Sequence, residues 1–345
     1  MHEENFADSV CAVARAGVGV NNIPVAELTD KGVVVFNTPG ANANAVKELV
    51  LMSLFAASRN LFPAVAWTHS LQGKDLSIVE AEKKRFVGTE IRGKNLGVIG
   101  IGAIGVLVAN DATSLGMEVF AYDPFISVDT AWQLSRNVQR VHSVEEIFRT
   151  CDFVTLHVPL TDATRELLDE KAFSQMKPGM KVLNFARGEL VKEEALKRAL
   201  EAGIVATYIT DFPTDGLLGA RNVVSIPHLG ASTYESEVNC AVMAANQLKQ
   251  YLETGNIQNS VNFPNVYMPF TGRKRITVIH QNIPNMVGQI TSILASESLN
   301  IADMMNRSKG PWAYTLMDLD QNLQQEEMVK ERLLQIDGVR RVRIL

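Results

Sequence analysis

Only three cysteines occur in 345 residues, Cys11, Cys151 and Cys240. Odd in number and far apart, they exclude a disulfide framework and give no pair at metal-ligand spacing, so no metal site is expected. Positive charge is not in excess either: 33 Lys and Arg stand against 38 Asp and Glu, a net charge of -5. With no basic field to neutralise a phosphate backbone, nucleic acid is not expected as a partner. Long hydrophobic runs are missing as well. The longest, near Leu49 to Ala57 and interrupted by Ser53, is too short to cross a bilayer. The start, Met1-His2-Glu3-Glu4-Asn5, has neither the basic nor the apolar region of a secretory signal. A cytoplasmic chain with no membrane partner is the expectation.

What is present fits a folded α/β protein. The composition, 46% apolar and 21% charged, is that of ordinary globular domains, and the length allows two or three of them. From residue 95 onward, β-rich runs at Asn95 to Gly100, Glu118 to Asp123, Phe153 to Val158, Lys181 to Ala186, Ala206 to Phe212 and Val223 to His228 alternate with helical patterns. These runs are apolar almost throughout, as strands buried on both faces must be, and predict a doubly wound parallel sheet. Helical periodicity over Asn44 to Ser58 and Val238 to Leu252 flanks this region. A breaker-rich stretch from Asn262 to Gly272 reads as a linker. Beyond it the order strand, helix, strand, strand, helix, strand predicts a small βαββαβ sandwich from Arg273 to Leu345.

The run Gly100-Ile101-Gly102-Ala103-Ile104-Gly105 follows a strand and opens a helix. In that context the first glycine makes the turn, the second admits a pyrophosphate, the third lets helix pack on strand, and the helix N-terminus favours the negative charge. Asp123 ends the next strand at the expected distance, about 20 residues on, for a carboxylate that binds the ribose hydroxyls and repels a 2′-phosphate. NAD is the cofactor this pattern predicts.

Oxidising an alcohol requires a group to take the hydroxyl proton, most often a histidine. Of six histidines, His2 is terminal, His69 and His142 stand in polar sequence, His280 lies in the C-terminal domain, and His157 has no acid or arginine beside it. His228, in Pro227-His228-Leu229-Gly230, ends the last strand of the alternating region, where open α/β sheets place their ligands. Asp215 is the candidate acid to orient it. Arg187, in Asn184-Phe185-Ala186-Arg187-Gly188, offers the planar fork that a 2-hydroxy acid's carboxylate calls for, against the alternative of a surface ion pair with Glu189 or Glu193. Lys83, Lys84 and Arg85 are candidates for a substrate phosphate, although a solvated face is the commoner meaning of such a run.

With these motifs the chain resembles the D-isomer-specific 2-hydroxyacid dehydrogenases, and its C-terminal segment resembles an ACT domain. The resemblance implies a smaller flavodoxin-like substrate domain of residues 1–62 and 240–268, an NAD-binding domain of 63–239 and an ACT-like regulatory domain of 273–345. It implies that His228 is the general base and acid, that Arg187 binds the substrate carboxylate, and that an acid, here Asp215 in place of the usual Glu, partners the histidine. It further implies that the backbone at Val18 and Gly19 contacts the substrate, and that Thr38, Phe185, Ala186, Asp211 and Gly230 flank the cofactor. The glycine loop at Arg15 comes early relative to the family pattern, so the first domain is expected to lack its first strands. The activity implied is NAD-dependent oxidation of 3-phosphoglycerate to 3-phosphohydroxypyruvate, the first step of serine biosynthesis, in a homo-oligomer. A glyoxylate or hydroxypyruvate reductase is an alternative, as is an NAD-sensing regulatory protein with impaired turnover. Likeness to serine-regulated members implies effector contacts at His280, Asn282 and Asn300, against an unliganded dimerisation sandwich. At Pro284-Asn285, where an ACT turn commonly has Pro-Gly, Asn is expected to adopt the left-handed conformation.

Overall fold

The computed structural model describes residues 6–345; Met1 to Asn5, read above for a secretory signal and including His2, lie outside the described residues. Packing divides the chain into two compact units, Met1–Ala41 with Glu237–Leu345, and Asn42–Ser236. The first unit opens with β1 (Ala12–Ala14), α1 (Val25–Asp30) and β2 (Val34–Phe36), in which β1 and β2 pair in parallel.

The second unit begins with α2 (Ala43–Ser58), α3 (Leu61–His69) and α4 (Ile78–Glu82). It continues as β3 (Asn95–Ile99), α5 (Ala103–Ser114), β4 (Glu118–Tyr122), α6 (Val128–Gln133), β5 (Gln139–Arg140), α7 (Val144–Thr150), β6 (Phe153–Leu156), α8 (Glu170–Ser174), β7 (Met180–Asn184), α9 (Glu193–Glu201), β8 (Val205–Thr210) and β9 (Val223–Ser225). The seven strands form one sheet in the order β5-β4-β3-β6-β7-β8-β9, every pairing parallel. The order reverses between β3 and β6, which makes the carboxyl ends of those strands the switch point where such sheets bind ligands. Core clusters cover both faces. Leu96, Val98 and Leu183 pack with Val50, Leu54, Val106 and Ala109 on one side, while Val154, Leu156 and Val182 pack with Ile147, Phe148, Leu190 and Leu196 on the other. The sequence reading assigns residues 1–62 to the first domain, yet α2 packs with the β3–α5 core, because its Val46, Val50, Leu54 and Ala57 join that cluster.

α10 (Tyr234–Thr254) leads back into the first unit. After it come β10 (Arg275–Gln281), α11 (Met286–Ser296), β11 (Ile301–Lys309), β12 (Trp312–Leu319), α12 (Glu326–Leu334) and β13 (Val339–Ile344), the βαββαβ order, in an antiparallel sheet ordered β11-β12-β10-β13. Side chains alternate across a strand. Ile276, Val278 and Met317 face Met286, Ile290, Leu294, Val329 and Leu333 of the two helices, while Ile279, Tyr314 and Leu316 face Val34, Phe36, Tyr251 and Phe263. Asn285 has φ +66°, the left-handed turn expected there.

One buried cation ties this sandwich to the segment before it. Arg275 is fully buried and donates to both carboxylate oxygens of Asp318, at 2.5 and 2.8 Å. Its remaining N–H groups reach the carbonyls of Thr254, Met268 and Pro269. A guanidinium out of water is tolerated only when its whole fork is satisfied in this way. Among the described residues no single helix is long and apolar enough to cross a membrane.

Candidate active site

The glycine loop joins β3 to α5, and each glycine has a separate physical reason. Gly100 has φ +95°, and a Cβ there would lie 2.7 Å from the backbone of His157. At Gly105 a Cβ would come 2.0 Å from the carbonyl oxygen of Gly100, so only glycine lets α5 start this close to β3. Gly102, the N-cap, faces the other way: a Cβ there meets nothing within 4 Å. The first N–H groups of α5, from Ala103 and Ile104 onward, have no intrahelical acceptor and point to that open side. The loop therefore has the shape that a pyrophosphate requires. Asp123 follows β4, and its Oδ2 accepts from the N–H of Ile101 at 2.8 Å while its Oδ1 accepts from that of Phe125, so the carboxylate is held against the loop.

Three neighbouring strand ends carry the other candidates. At the end of β7, Asn184 is fully buried; its Nδ2 donates to the carbonyl of Arg187 at 2.8 Å and to the Tyr208 hydroxyl, and its Oδ1 accepts from the N–H of Ala186. This side chain shapes the Phe185–Arg187 turn. Sequence reasoning passed over Asn184, although an amide inside an apolar strand was the available signal. Arg187 is exposed and donates to the carbonyl of Ala186; it forms no ion pair with Glu189 or Glu193, the latter being engaged by Lys197 and Thr214.

After β8, Asp211 is fully buried, its Oδ2 accepting from the N–H of Gly230 at 2.9 Å and its Oδ1 without a partner among the described residues. Burial raises its carboxyl above the ordinary range, opposed by the Gly230 N–H and by the charge of His228. The next residue, Phe212, stacks obliquely on His228, which follows β9, with ring centroids 4.7 Å apart. A Cβ at Gly188 would lie 3.3 Å from Phe212 Cβ, so Phe212 stands between the Arg187 turn and the imidazole. Neither residue's type or spacing announces this contact. Asp215 is exposed and forms no hydrogen bond or ion pair with His228 or with any other of the described residues. His157 pairs its Nε2 with Thr155 Oγ1 at 3.0 Å, and burial pushes its pKa down to about 3.

In the first unit, the loop after β1 is fastened to the residues after β2. Gly17 N–H donates to the buried Thr38 Oγ1 at 2.8 Å, Thr38 N–H to the Gly17 carbonyl, and Asn37 Nδ2 to that of Val18. The N–H groups of Val18 and Gly19 donate to no protein acceptor among the described residues. Of the basic run, Lys83 pairs with Glu80 and Arg85 with Glu82, each one turn away. His280 is buried with both ring nitrogens engaged, by the Gln281 carbonyl and by Thr315, and burial lowers its pKa. It and Asn282 stand at the Trp312 end of the sandwich, whereas Asn300 precedes β11 at the Leu319 end, so one chain does not bring the three together.

A doubly wound parallel sheet with a glycine loop at its switch point and an acid closing the next strand defines a dinucleotide-binding protein. The buried orphan Oδ1 of Asp211 and the open face of Gly102 fit such a cofactor, with a donor for the one and a phosphate for the other. The family described as D-isomer specific 2-hydroxyacid dehydrogenase, NAD binding domain, matches residues 51–230, and the chain belongs to it. The D-3-phosphoglycerate dehydrogenase of Methanocaldococcus jannaschii is 36% identical over 305 residues, 87% of this chain and 56% of that protein. The protein so named in Haemophilus influenzae is 33% identical over 352 residues, 98% and 82% of the two chains. The human protein of that name is 38% identical over 264 residues, 75% of this chain and 48% of its own length. The chain thus spans about half the length of several curated relatives. Among solved structures, apo D-mandelate dehydrogenase from Rhodotorula graminis aligns with TM-score 0.66 and 26% identity over 76% of this chain and 77% of its own. The NAD⁺-bound 3-phosphoglycerate dehydrogenase of Entamoeba histolytica aligns with TM-score 0.60 and 29% identity over 76% and 77%.

Proposed function

We propose that the chain oxidises 3-phosphoglycerate to 3-phosphohydroxypyruvate with NAD, the entry step of serine biosynthesis. The observation that carries the reaction type is the meeting of three adjacent strand ends: the Arg187 turn, Phe212 and His228 in contact sequence along one edge of the sheet. The substrate assignment rests on the names of the curated relatives. NAD, held by the 100–105 glycine loop and Asp123, would supply the hydride acceptor for the substrate's C2. Arg187 holds the carboxylate through its planar fork, fixing which face of C2 is presented. His228 takes the hydroxyl proton, and returns it in the reverse direction. Phe212 walls the imidazole on one side and leaves its nitrogens for the substrate. Asp211 holds the 228–230 turn through Gly230 and keeps an oxygen for the cofactor. Asp215 orients the imidazole only if its exposed loop folds inward; Asp211 is the carboxylate already beside it. Thr38 and the free N–H groups of Val18 and Gly19 are donors of the kind a substrate carboxylate takes.

A homo-oligomer with serine as effector belongs to the same proposal. Because Asn300 lies at the far end of the sandwich from His280 and Asn282, such a ligand would draw its contacts from two chains. One observation favours a smaller substrate: Lys83 and Arg85 are already paired with glutamates, which supports a glyoxylate or hydroxypyruvate reductase. NADH consumption measured with 3-phosphohydroxypyruvate and with glyoxylate, on this chain and on His228→Ala, decides between them. Faster turnover of the phosphorylated acid supports the proposal; tight NADH binding with no turnover of either would leave a nucleotide sensor.

A further inference from the structure

The turns that carry Arg187 and Phe212 leave the ends of two paired strands, β7 and β8, and a chain of buried polar side chains links them. Asn184, Tyr208 and Thr210 are 0%, 2% and 0% exposed. In the parallel register Asn184 lies opposite Thr210, two residues beyond Tyr208, so all three side chains fall on one face of the sheet. Asn184 Nδ2 donates to the Arg187 carbonyl at 2.8 Å and to the Tyr208 hydroxyl at 3.2 Å, while its Oδ1 accepts from the Ala186 N–H at 3.2 Å. On the other side, Thr210 Oγ1 accepts from the Phe212 N–H at 3.1 Å, and the Thr210 side chain also meets the Tyr208 hydroxyl. That hydroxyl stands between the anchors of the two turns.

The ring of Tyr208 is accounted for by packing, since it belongs to the apolar cluster of Val182, Leu190, Ala195 and Leu217. Its oxygen is not. A buried hydroxyl forfeits its bonds to water and needs partners in exchange. Burial raises its pKa, so it stays protonated and offers a hydrogen as well as lone pairs. Hydrogen bonds joined in a chain out of water strengthen one another, and a shift at one end is felt at the other. We propose that Tyr208 is a positioning residue: through Asn184 and Thr210 its hydroxyl couples the Arg187 turn to the Phe212 turn, so that the guanidinium and the ring that walls His228 keep one spacing. The proposal rests on the dehydrogenase reading of Arg187 and His228 given above. Tyr208 itself is buried and acts through those turns, without touching substrate.

Tyr208→Phe in the full chain removes one oxygen and keeps the ring. With NADH and 3-phosphohydroxypyruvate it is expected to lower kcat/KM by about 3- to 10-fold, mostly through KM, the range of one neutral hydrogen bond, while NADH affinity stays near the parent value. In an Arg187→Lys background the same change should add almost nothing, because a group that acts through Arg187 has nothing left to position. Hydrogen exchange gives a readout that needs no turnover: the Ala186 and Phe212 amides should both exchange at least about fivefold faster in Tyr208→Phe. Thr210→Val keeps the shape of the side chain and carries the test should Tyr208→Phe not fold; it should quicken Ala186 as well as Phe212. Faster exchange at both turns in a chain that reduces no 2-oxo acid would leave the coupling standing and remove the dehydrogenase reading. A lower urea midpoint with KM and both amides unchanged would overturn the proposal, as would effects that add fully to Arg187→Lys, or a response to Thr210→Val confined to Phe212.

Discussion

The phenyl ring of Phe212 stands 4.7 Å from the imidazole of His228, the two planes 49° apart. The contact joins the ends of β8 and β9, and it gives His228 a fixed wall without consuming either ring nitrogen. An exposed histidine walled on one side only has both nitrogens open, as the proposed proton transfer would require. His228→Ala should lower kcat for 2-oxo acid reduction by about 10² to 10⁴ while NADH binding, followed by fluorescence, stays near the parent value.

Arg187 has an exposed guanidinium with no carboxylate partner among the described residues. Replacing it by Lys keeps the charge and loses the fork. Arg187→Lys should raise KM for the 2-oxo acid and lower kcat/KM by roughly 10- to 100-fold, the range of a charge-assisted bond. Arg187→Lys with unchanged kinetics would remove the guanidinium from substrate recognition.

Gly102 and Gly105 separate the cofactor role from the packing role. Gly105→Ala forces a methyl to within 2.0 Å of the Gly100 carbonyl and should destabilise the unit by about 1 to 3 kcal/mol in urea unfolding. Gly102→Ala meets no atom within 4 Å, so it should unfold like the parent and yet bind NADH at least several-fold more weakly. Equal NADH affinity in that variant would place the pyrophosphate elsewhere.

His157 has its pKa pushed down to about 3 by burial, against an unfolded value near 6.5. The unfolded chain therefore takes up a proton that the folded chain refuses. His157 does not cost stability above pH 6.5, and the fold loses stability progressively as pH falls from 6.5 toward 3. Urea midpoints of the parent and of His157→Gln, compared from pH 7.5 to pH 5, should show the parent falling more steeply on the acid side. Parallel curves would mean that His157 charges freely in the fold.

Arg275 and Asp318 are each nearly or wholly out of water. Arg275→Met strands the Asp318 carboxylate and should lower stability by about 3 to 5 kcal/mol. The double variant Arg275→Met with Asp318→Leu should recover much of that loss, because it removes the stranded charge as well.

The strands of the large sheet were legible because each is an apolar run between breakers, and burial on both faces leaves no other reading for Phe153 to Leu156 or Met180 to Asn184. β5 escaped notice, since Gln139 and Arg140 are a two-residue polar edge with no pattern to read. The glycine loop and Asp123 could be located because their spacing is local. The contact of Phe212 with His228 could not, because it depends on which strands are neighbours, and neither residue's type announces it. The same holds for Asp211, whose burial follows from Gly230 folding back over it. In the first unit the sequence marked the sandwich at Arg273 to Leu345 but not the second apolar face of its sheet, where Tyr314 and Leu316 meet Phe36 and Tyr251.

The five bonds of Arg275 reach carbonyls at Thr254, Met268 and Pro269 on one side and a carboxylate in β12 on the other. The tail is consequently no detachable bead on a string. A protease cutting at Gly272 would leave a nicked complex that holds together until denaturant is added, and the chain beyond residue 273, produced alone, would emerge with a bare apolar sheet face and a guanidinium that keeps Asp318 but loses its three carbonyl partners.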